Sequence, residues 1–315
     1  MNKSTASAIA CCALLLCGTR PAPAVVPDAV SSTAKFVCDY RAIGALHPDP
    51  KLRNKDRLAA KLCPATILPH DYAMARYSID RDPEGLSGYF FVNARTLHID
   101  AQLVKAAAEG VRQVIVLGAG YDSRAYRFHK AYPKLVFYEV DLPAMVRSKK
   151  QAIEQLFGKP PRHVRYVPID FNTETLDSVL AAAGYDRGVR SLFIIEGVVM
   201  YVNEPGNSAT FDFIRRNSPP GTRVVYDYVL RRVVEGDYEG LYAAKRLAEG
   251  VASVDEPFIS GWTPEEAAAF ADKHGLTVLE DLDDAVLTRR YLTNSRGKPD
   301  GRMPDWQRII DARVR

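Results

Sequence analysis

Gln113-Val114-Ile115-Val116-Leu117-Gly118-Ala119-Gly120-Tyr121-Asp122-Ser123-Arg124 is the stretch on which the reading of the fold depends. An unbroken apolar, β-branched run of this length suits a strand buried on both faces, as in a parallel sheet. A parallel strand that ends in Gly-x-Gly lets the backbone turn tightly and come close to a ligand. The helix that follows then offers unpaired N–H groups at its N-terminus. Gly-x-Gly alone also fits a tight strand-to-helix turn with no ligand.

Working outward, similar short runs recur at Leu135–Val140, Val164–Ile169, Leu192–Ile195 and Arg223–Val229. Helix-like stretches such as Leu142–Phe157 and Thr173–Ala183 separate them. Strands alternating with helices predict an α/β, doubly wound, Rossmann-like sheet with helices on both faces. Upstream, Ala34 to Tyr77 reads as helical, broken at His47-Pro48-Asp49-Pro50 and at Pro64, and Asp80 to Gly88 reads as a turn. Phe91 to Glu109 has helical spacing and stops at Gly110. Downstream, Leu230 to Trp262 is longer than an ordinary connection and carries Tyr238, Tyr242, Phe258 and Trp262. It reads either as a lid, about 230–262, or as an extra helix pair packed by those aromatics. Pro264–His274 reads as a helix closed by Gly275. Thr277–Leu282 and Ala285–Thr293 then read as a strand pair turning at Asp283-Asp284. The expected organisation is a tail, 1–32, and a single domain, 33–315, made of a helical cap, 33–110, and an α/β core, 111–315.

Hydrophobic residues make up 47% of the 315 and charged residues 25%, the balance of a globular protein. The net charge of +4 comes from 42 basic and 38 acidic residues that are interspersed, which gives no clustered basic face for nucleic acid. Cys11, Cys12 and Cys17 lie in the first apolar stretch, leaving Cys38 and Cys63 for the body, so no disulfide framework is expected. The histidines are scattered without ligand spacing, and no metal site is expected. The first residues run Lys3, an apolar stretch from Ala6 to Cys17, then Gly18-Thr19-Arg20 and Ala22-Pro23-Ala24, the order of a secretory signal. Leu16 is too large for the position before a lipid-modified cysteine. No later run approaches the ~18 apolar residues of a membrane span.

The acids at strand ends carry the chemical reading. Tyr138-Glu139-Val140-Asp141 places acids about 20 residues beyond the glycine turn, where a carboxylate meets ribose hydroxyls. The spacing permits either Glu139 or Asp141. A nicotinamide dehydrogenase and a methyltransferase share this geometry, but Ser123 stands where the third glycine of Gly-x-Gly-x-x-Gly belongs. In Pro168-Ile169-Asp170-Phe171, Asp170 is suited to an adenine amine and Phe171 to the ring face, although Asp170 also fits a helix N-cap before Thr173. Glu196 follows Phe193-Ile194-Ile195 at the ligand-binding edge, or serves as a salt-bridge partner. The Asn-Pro-Pro-Tyr found here in enzymes that methylate nitrogen is absent. Arg95, on the helix before the glycine strand, is a two-pronged clamp for a carboxylate if it faces inward and a solvated charge if it does not.

Ala94-Arg95-Thr96 with Ile99-Asp100, the stretch Gln113 to Arg127, Tyr138-Glu139-Val140-Asp141-Leu142-Pro143, and Ile195-Glu196-Gly197 with Met200-Tyr201 follow one another in order. Together they resemble the leucine carboxyl methyltransferase family from about Thr33 to Thr293. The resemblance implies S-adenosyl-L-methionine as methyl donor. It implies Arg95 at the methionine carboxylate, Gly118 and Gly120 along the cofactor, and Asp141 on the ribose. Asp170 and Phe171 would lie at the adenine, Phe replacing the family's Leu, and Glu196 at the amino group. Lys35 or Arg41 would supply a basic residue from the first helix. The family's best-known members methylate a protein phosphatase's terminal carboxylate, and nothing in this sequence identifies that partner. The acceptor is expected to be a carboxylate or hydroxyl on a small molecule or peptide terminus, with Tyr201 as the catalytic candidate near it. An NAD(P)-dependent oxidoreductase and a non-catalytic cofactor-binding module are the competing readings. The donor is made and kept in the cytosol, so the expected location is the cytoplasm, the alternative being export or lipid anchoring through the signal-like segment.

Overall fold

Apolar spacing, caps and glycines divide the chain into elements much as its sequence suggests. The computed structural model describes residues 30–63, 65–170 and 173–315. The signal-like stretch from Lys3 to Ala24, with Cys11, Cys12 and Cys17, lies outside the described residues, as do Pro64 and Phe171. The cap holds α1 (Ser32–Gly44), α2 (Ala59–Leu62), α3 (Tyr72–Arg81) and α4 (Gly88–Ala108). Ser31 caps α1 by accepting from the Ala34 amide, and Asp71 caps α3 from Met74. At Gly44 a side chain would begin 1.6 Å from Asn93 Oδ1, so only glycine lets α1 sit this close to α4.

The core then runs β1 (Gln113–Leu117), α5 (Arg124–Arg127), β2 (Val136–Asp141), α6 (Pro143–Phe157), β3 (Val164–Pro168), α7 (Leu176–Ala182), β4 (Ser191–Ile195), α8 (Glu204–Arg216) and β5 (Arg223–Val229). It continues through α9 (Arg231–Val234), α10 (Ala244–Ala252), α11 (Pro264–Lys273), β6 (Leu276–Leu282), α12 (Asp284–Leu287) and β7 (Gln307–Val314). Side chains alternate across the sheet. Val114 and Val116 pack under α4 with Phe91, Ile99 and Leu103, while Ile115 and Leu117 face Leu180, Phe211 and Phe213 on the other side.

The seven strands lie in the order β3-β2-β1-β4-β5-β7-β6. The first five are parallel, and β7 runs antiparallel between β5 and β6. Leu117 is level with Val140 and with Ile195, and Asp141 with Pro168. Gly118, Asp141, Asp170 and Glu196 therefore line one carboxyl edge. The chain order reverses between β1 and β4, the place where such sheets bind ligands.

Three expectations are corrected. Ala285–Thr293 is not a strand. Asp283 accepts from Val286 N at 2.9 Å and starts α12, which passes into a wider helical turn over Thr288–Leu292 and sends Leu287 and Leu292 into the core. The strand paired with β6 is β7, whose Ile309, Ile310 and Ala312 fill the core while Asp311 meets His98 at 3.1 Å. A disulfide is present after all: Cys38 in α1 bonds Cys63 just beyond α2, 25 residues away, amid Ala59, Leu62, Met145 and Ile153. The connection over 230–262 holds α9 and α10, and its base is closed where Trp262 N donates to Val229 O. Trp262 stacks on Phe270, and Tyr242 bonds the Pro83 carbonyl. Of the four aromatics read as lid residues, Phe258 is the one set against Tyr201, with ring centroids 5.5 Å apart.

Closing a loop of this size from the unfolded chain removes about 2–4 kcal/mol of conformational entropy. Reduction, or Cys38→Ser, is expected to lower the urea midpoint by that equivalent; equal midpoints in oxidised and reduced protein would contradict it.

Candidate active site at the carboxyl edge of the sheet

Gly118 and Gly120 adopt φ of +63° and +43°, and a side chain at Gly118 would begin 2.4 Å from Val198 Cγ2. Glycine is required there by both backbone and space. The turn is fixed from β2: Gly120 N donates to Asp141 Oδ2 at 2.6 Å and Leu142 N to Asp141 Oδ1 at 2.7 Å. Burial pushes the Asp141 carboxyl upward, and these two amides oppose it. An ionised carboxylate accepts about four hydrogen bonds, so Asp141 retains capacity at the sheet edge. Glu139, the other acid the spacing allowed, is buried against Lys149 at 2.9 Å and takes the Tyr126 hydroxyl at 3.2 Å. Burial raises its carboxyl to about 7, with Lys149 partly offsetting. The structure therefore separates the two acids: Asp141 holds the turn and Glu139 pairs with Lys149.

Behind the turn lies a continuous buried ion network. Arg95, on α4, is not a solvated charge. Its Nε meets Glu196 Oε1 at 3.0 Å, its Nη1 meets Asp227 Oδ2 at 2.6 Å, and its guanidinium lies over the Phe91 ring. Glu196 also takes Arg124 Nη1 at 2.7 Å, and Arg124 Nε reaches Asp100 at 2.8 Å. Arg124 additionally bonds Asp122, and Arg127 grips Asp100 through two nitrogens at 2.8 and 3.0 Å. Ser123 Oγ donates to Asp56 at 2.5 Å, and Arg41 joins Asp56 at 3.0 Å to the Tyr121 carbonyl at 2.7 Å. Of the two first-helix bases, Arg41 is the one brought to the turn. Four guanidinium groups (41, 95, 124, 127) face five carboxylates (56, 100, 122, 196, 227), which leaves one surplus negative charge. Arg124 Nη2 is buried with no hydrogen-bond partner.

The electrostatics follow from this packing. Burial pushes Asp122 up, but Arg124, Lys149 and Arg41 overcome it and hold the carboxyl at about 2. Glu196 likewise sits below the ordinary range, burial being outweighed by Arg124 and Arg95. Burial, with Glu256 nearby, holds the Tyr201 phenol far above its usual value, so it is a donor and not a base at neutral pH. Asp170 stands at the end of β3, where its carbonyl accepts from Thr173 and Glu174 amides. It does not cap α7, which Thr175 caps through Ser178.

Gly118, Asp141 and Glu196, expected at strand ends, meet at one edge, and Arg95, which the sequence left open between an inward clamp and a solvated charge, is joined directly to Glu196. Sequence reasoning missed Asp227, whose signal was an acid inside the apolar run of β5, and it assigned no role to Arg124, Asp122 or Asp100. Among the described residues no cluster of His, Cys, Asp or Glu is arranged to hold a metal.

The family model described as leucine carboxyl methyltransferase matches residues 34–215, more than half of the chain. A relative from Mycobacterium sp. (strain KMS) is 31% identical over 304 residues, spanning 84% of this chain and 95% of its own. One from Mycolicibacterium gilvum is 31% identical over 241 residues, 73% of this chain and 76% of its own. Both carry the name "Putative S-adenosyl-L-methionine-dependent methyltransferase". Among solved structures, a DUF574-family protein from Streptomyces avermitilis superposes with a TM-score of 0.57 at 16% identity, over 81% of this chain and 95% of that one, a likeness of fold.

Removing Arg124 strands Asp100, Asp122 and Glu196 without their shared cation. Arg124→Met is expected to cost about 3–5 kcal/mol of unfolding free energy, and a loss below 1 kcal/mol in chemical denaturation would show that the network does not matter to folding. Asp122 carries a pH consequence of its own. Its folded value of about 2 lies below the ordinary aspartate value of 3.8, so its contribution is complete above about pH 5 and fades as pH falls toward 2. In wild type, denaturation midpoints should fall over that window, and Asp122→Asn should flatten part of the fall.

Proposed function

The chain belongs to the leucine carboxyl methyltransferase family, and we propose that it methylates an oxygen, specifically a carboxylate oxygen on a small molecule or peptide terminus. Its class, an S-adenosylmethionine-dependent methyltransferase, follows from the family and from the relatives' names. When bound, S-adenosylmethionine supplies a methyl carbon on a sulfonium, which an acceptor oxygen displaces in line as the C–S electron pair returns to sulfur. The residues fit such a group. Gly118 and Gly120 leave the turn bare of side chains, and Asp141 offers acceptor capacity for ribose hydroxyls. Arg95 and the unpartnered Nη2 of Arg124 are the cations for the methionine carboxylate, Glu196 is the anion for its amine, and Asp170 and Phe171 are assigned to the adenine. The surplus negative charge of the network complements a ligand that carries a sulfonium.

The acceptor class rests on one observation: Tyr201 and the acids of the arginine network are not free bases. Tyr201 stays protonated, and Glu196, Asp122 and Asp227 are each salt-bridged to arginine. A hydroxyl acceptor needs a base to take its proton, whereas a carboxylate is ionised at neutral pH and needs none. Tyr201 then acts as a hydrogen-bond donor that orients the acceptor. A nicotinamide reading is opposed by Ser123 in place of the third glycine. A binding module without turnover would keep the same ligand residues and is distinguished by product formation. Among the described residues no helix is long and apolar enough to cross a membrane. The reading assigns the reaction to the cytoplasm, where the donor is held.

Calorimetric titration with S-adenosylmethionine, S-adenosylhomocysteine and NAD is expected to show saturation by the first two only. Asp141→Ala should weaken binding by about 1.5–3 kcal/mol, roughly tenfold to a hundredfold. Saturation by NAD alone would overturn the class. With a panel of carboxylic acids and phenols, base-labile methyl esters are expected, and methyl ethers without esters would overturn the acceptor.

A further inference from the structure

Helix α1 lies across the glycine turn. Ala34 Cβ is 3.5 Å from the point where a side chain on Gly120 would begin. Arg41 bonds the Tyr121 carbonyl, and Cys38 and Ala42 pack with Tyr121 and Met145. The cavity beside the turn, lined by Gly120, Glu139, Asp141, Met145, Lys149 and Tyr166, measures about 10 Å³. That is room for about one water, against the roughly 300–1,000 Å³ of clefts that hold drug-sized ligands. A nucleoside reaching Gly120 must displace what covers it.

The two ends of α1 are held differently. Glu256, four residues beyond the end of α10, lays its carboxylate on the first turn of α1. Ser32 N donates to Oε1 at 2.8 Å, and Ser31 Oγ and Thr33 N donate to Oε2 at 3.1 and 3.2 Å. The Thr33 hydroxyl bonds the same oxygen. Asp255, just before it, sits at φ +60°, a conformation that costs a non-glycine residue about 1 kcal/mol or more and that aims Glu256 at the helix. The segment continues to Phe258 against Tyr201, then to Ile259 and Ser260, whose amides both donate to the Met200 carbonyl. The middle of α1 is held covalently, through Cys38 to Cys63.

We propose that α1 is a strap over the cofactor turn, latched at its first turn by Glu256 and anchored at its midpoint by the Cys38–Cys63 bridge. Glu256 is a positioning residue: it acts through Ser31, Ser32 and Thr33 and touches no reacting atom. Release of the latch exchanges four hydrogen bonds for water and frees residues 32–37, while the bridge keeps 38–44 in place with Arg41 on Tyr121. Glu256 belongs to the connection over 230–262 and grips the strap, so displacement of that connection at Glu256 releases the latch. The inference rests on the reading that the cofactor binds at Gly118–Gly120.

The test is amide hydrogen exchange by mass spectrometry on the full oxidised chain, paired with stopped-flow binding of S-adenosylhomocysteine. Glu256→Ala and Glu256→Gln are compared with wild type and with Glu249→Ala, an exposed position on α10. Both Glu256 variants should speed exchange of residues 32–37 at least tenfold, with 38–44 unchanged until the bridge is reduced. Association and dissociation of S-adenosylhomocysteine should both quicken by a similar factor, and Glu249→Ala should match wild type. Unchanged exchange at 32–37, or faster exchange with unchanged ligand rates, overturns the latch. If no variant and no wild type binds S-adenosylhomocysteine while 32–37 still loosen, the strap stands and the binding reading falls. Should the Glu256 variants not fold, Thr33→Val removes one of the same four bonds from the other side and should speed exchange at 32–37 by a smaller factor.

Discussion

The buried network that runs from Asp227 through Arg95, Glu196 and Arg124 to Asp100 is the constraint around which the molecule is arranged. Its members come from α4, α5, β5 and the end of β4, so none can be satisfied until all of these have met. Each charge alone would be several kcal/mol too costly to bury. The sheet thus has little freedom to shift register, since sliding β5 or α4 would separate Asp227 from Arg95. Such networks add less to net stability than to the uniqueness of the arrangement, because apolar packing of similar volume can match their free energy.

The same constraint prepares the carboxyl edge for its ligand. Charges already fixed by one another need little reorganisation when a charged group arrives, and in a dry site their fields are not damped by solvent. Asp141 works on a smaller scale: by holding Gly120 and Leu142 it shapes the turn with the same carboxylate that stands ready for hydroxyls. Structure and ligand recognition are thus served by one side chain.

The parallel half of the sheet was legible because its strands are buried on both faces and read as unbroken apolar runs. Gly118, Asp141 and Glu196 were legible because strand ends are marked by abrupt changes of residue type. β7 was not, since Arg308, Asp311 and Arg313 interrupt its pattern and Asp311 is tolerated inside only because His98 on α4 meets it. Ala285–Thr293 misled because a strand pairing was read through Asp283-Asp284 where Asp283 instead caps a helix. Arg95 looks like a surface charge until Asp227, 132 residues later, is placed beside it. Glu256 was invisible for the same reason, its partners being more than 220 positions away. Local pattern reports which face of an element is apolar, and it is silent about which distant charge will neutralise a buried one.

The position of β7 bears on how the chain is made. It lies inside the sheet, between β5 and β6, although both of those precede it in the sequence. During synthesis the parallel half can assemble while β5 still presents an unpaired edge, and β6 has no neighbour to bond until residues 307–314 have left the ribosome. An open edge of apolar strand is a template for association with other chains. Until β7 is placed, β5 keeps an unpaired edge, and the insertion of β7 is what covers it.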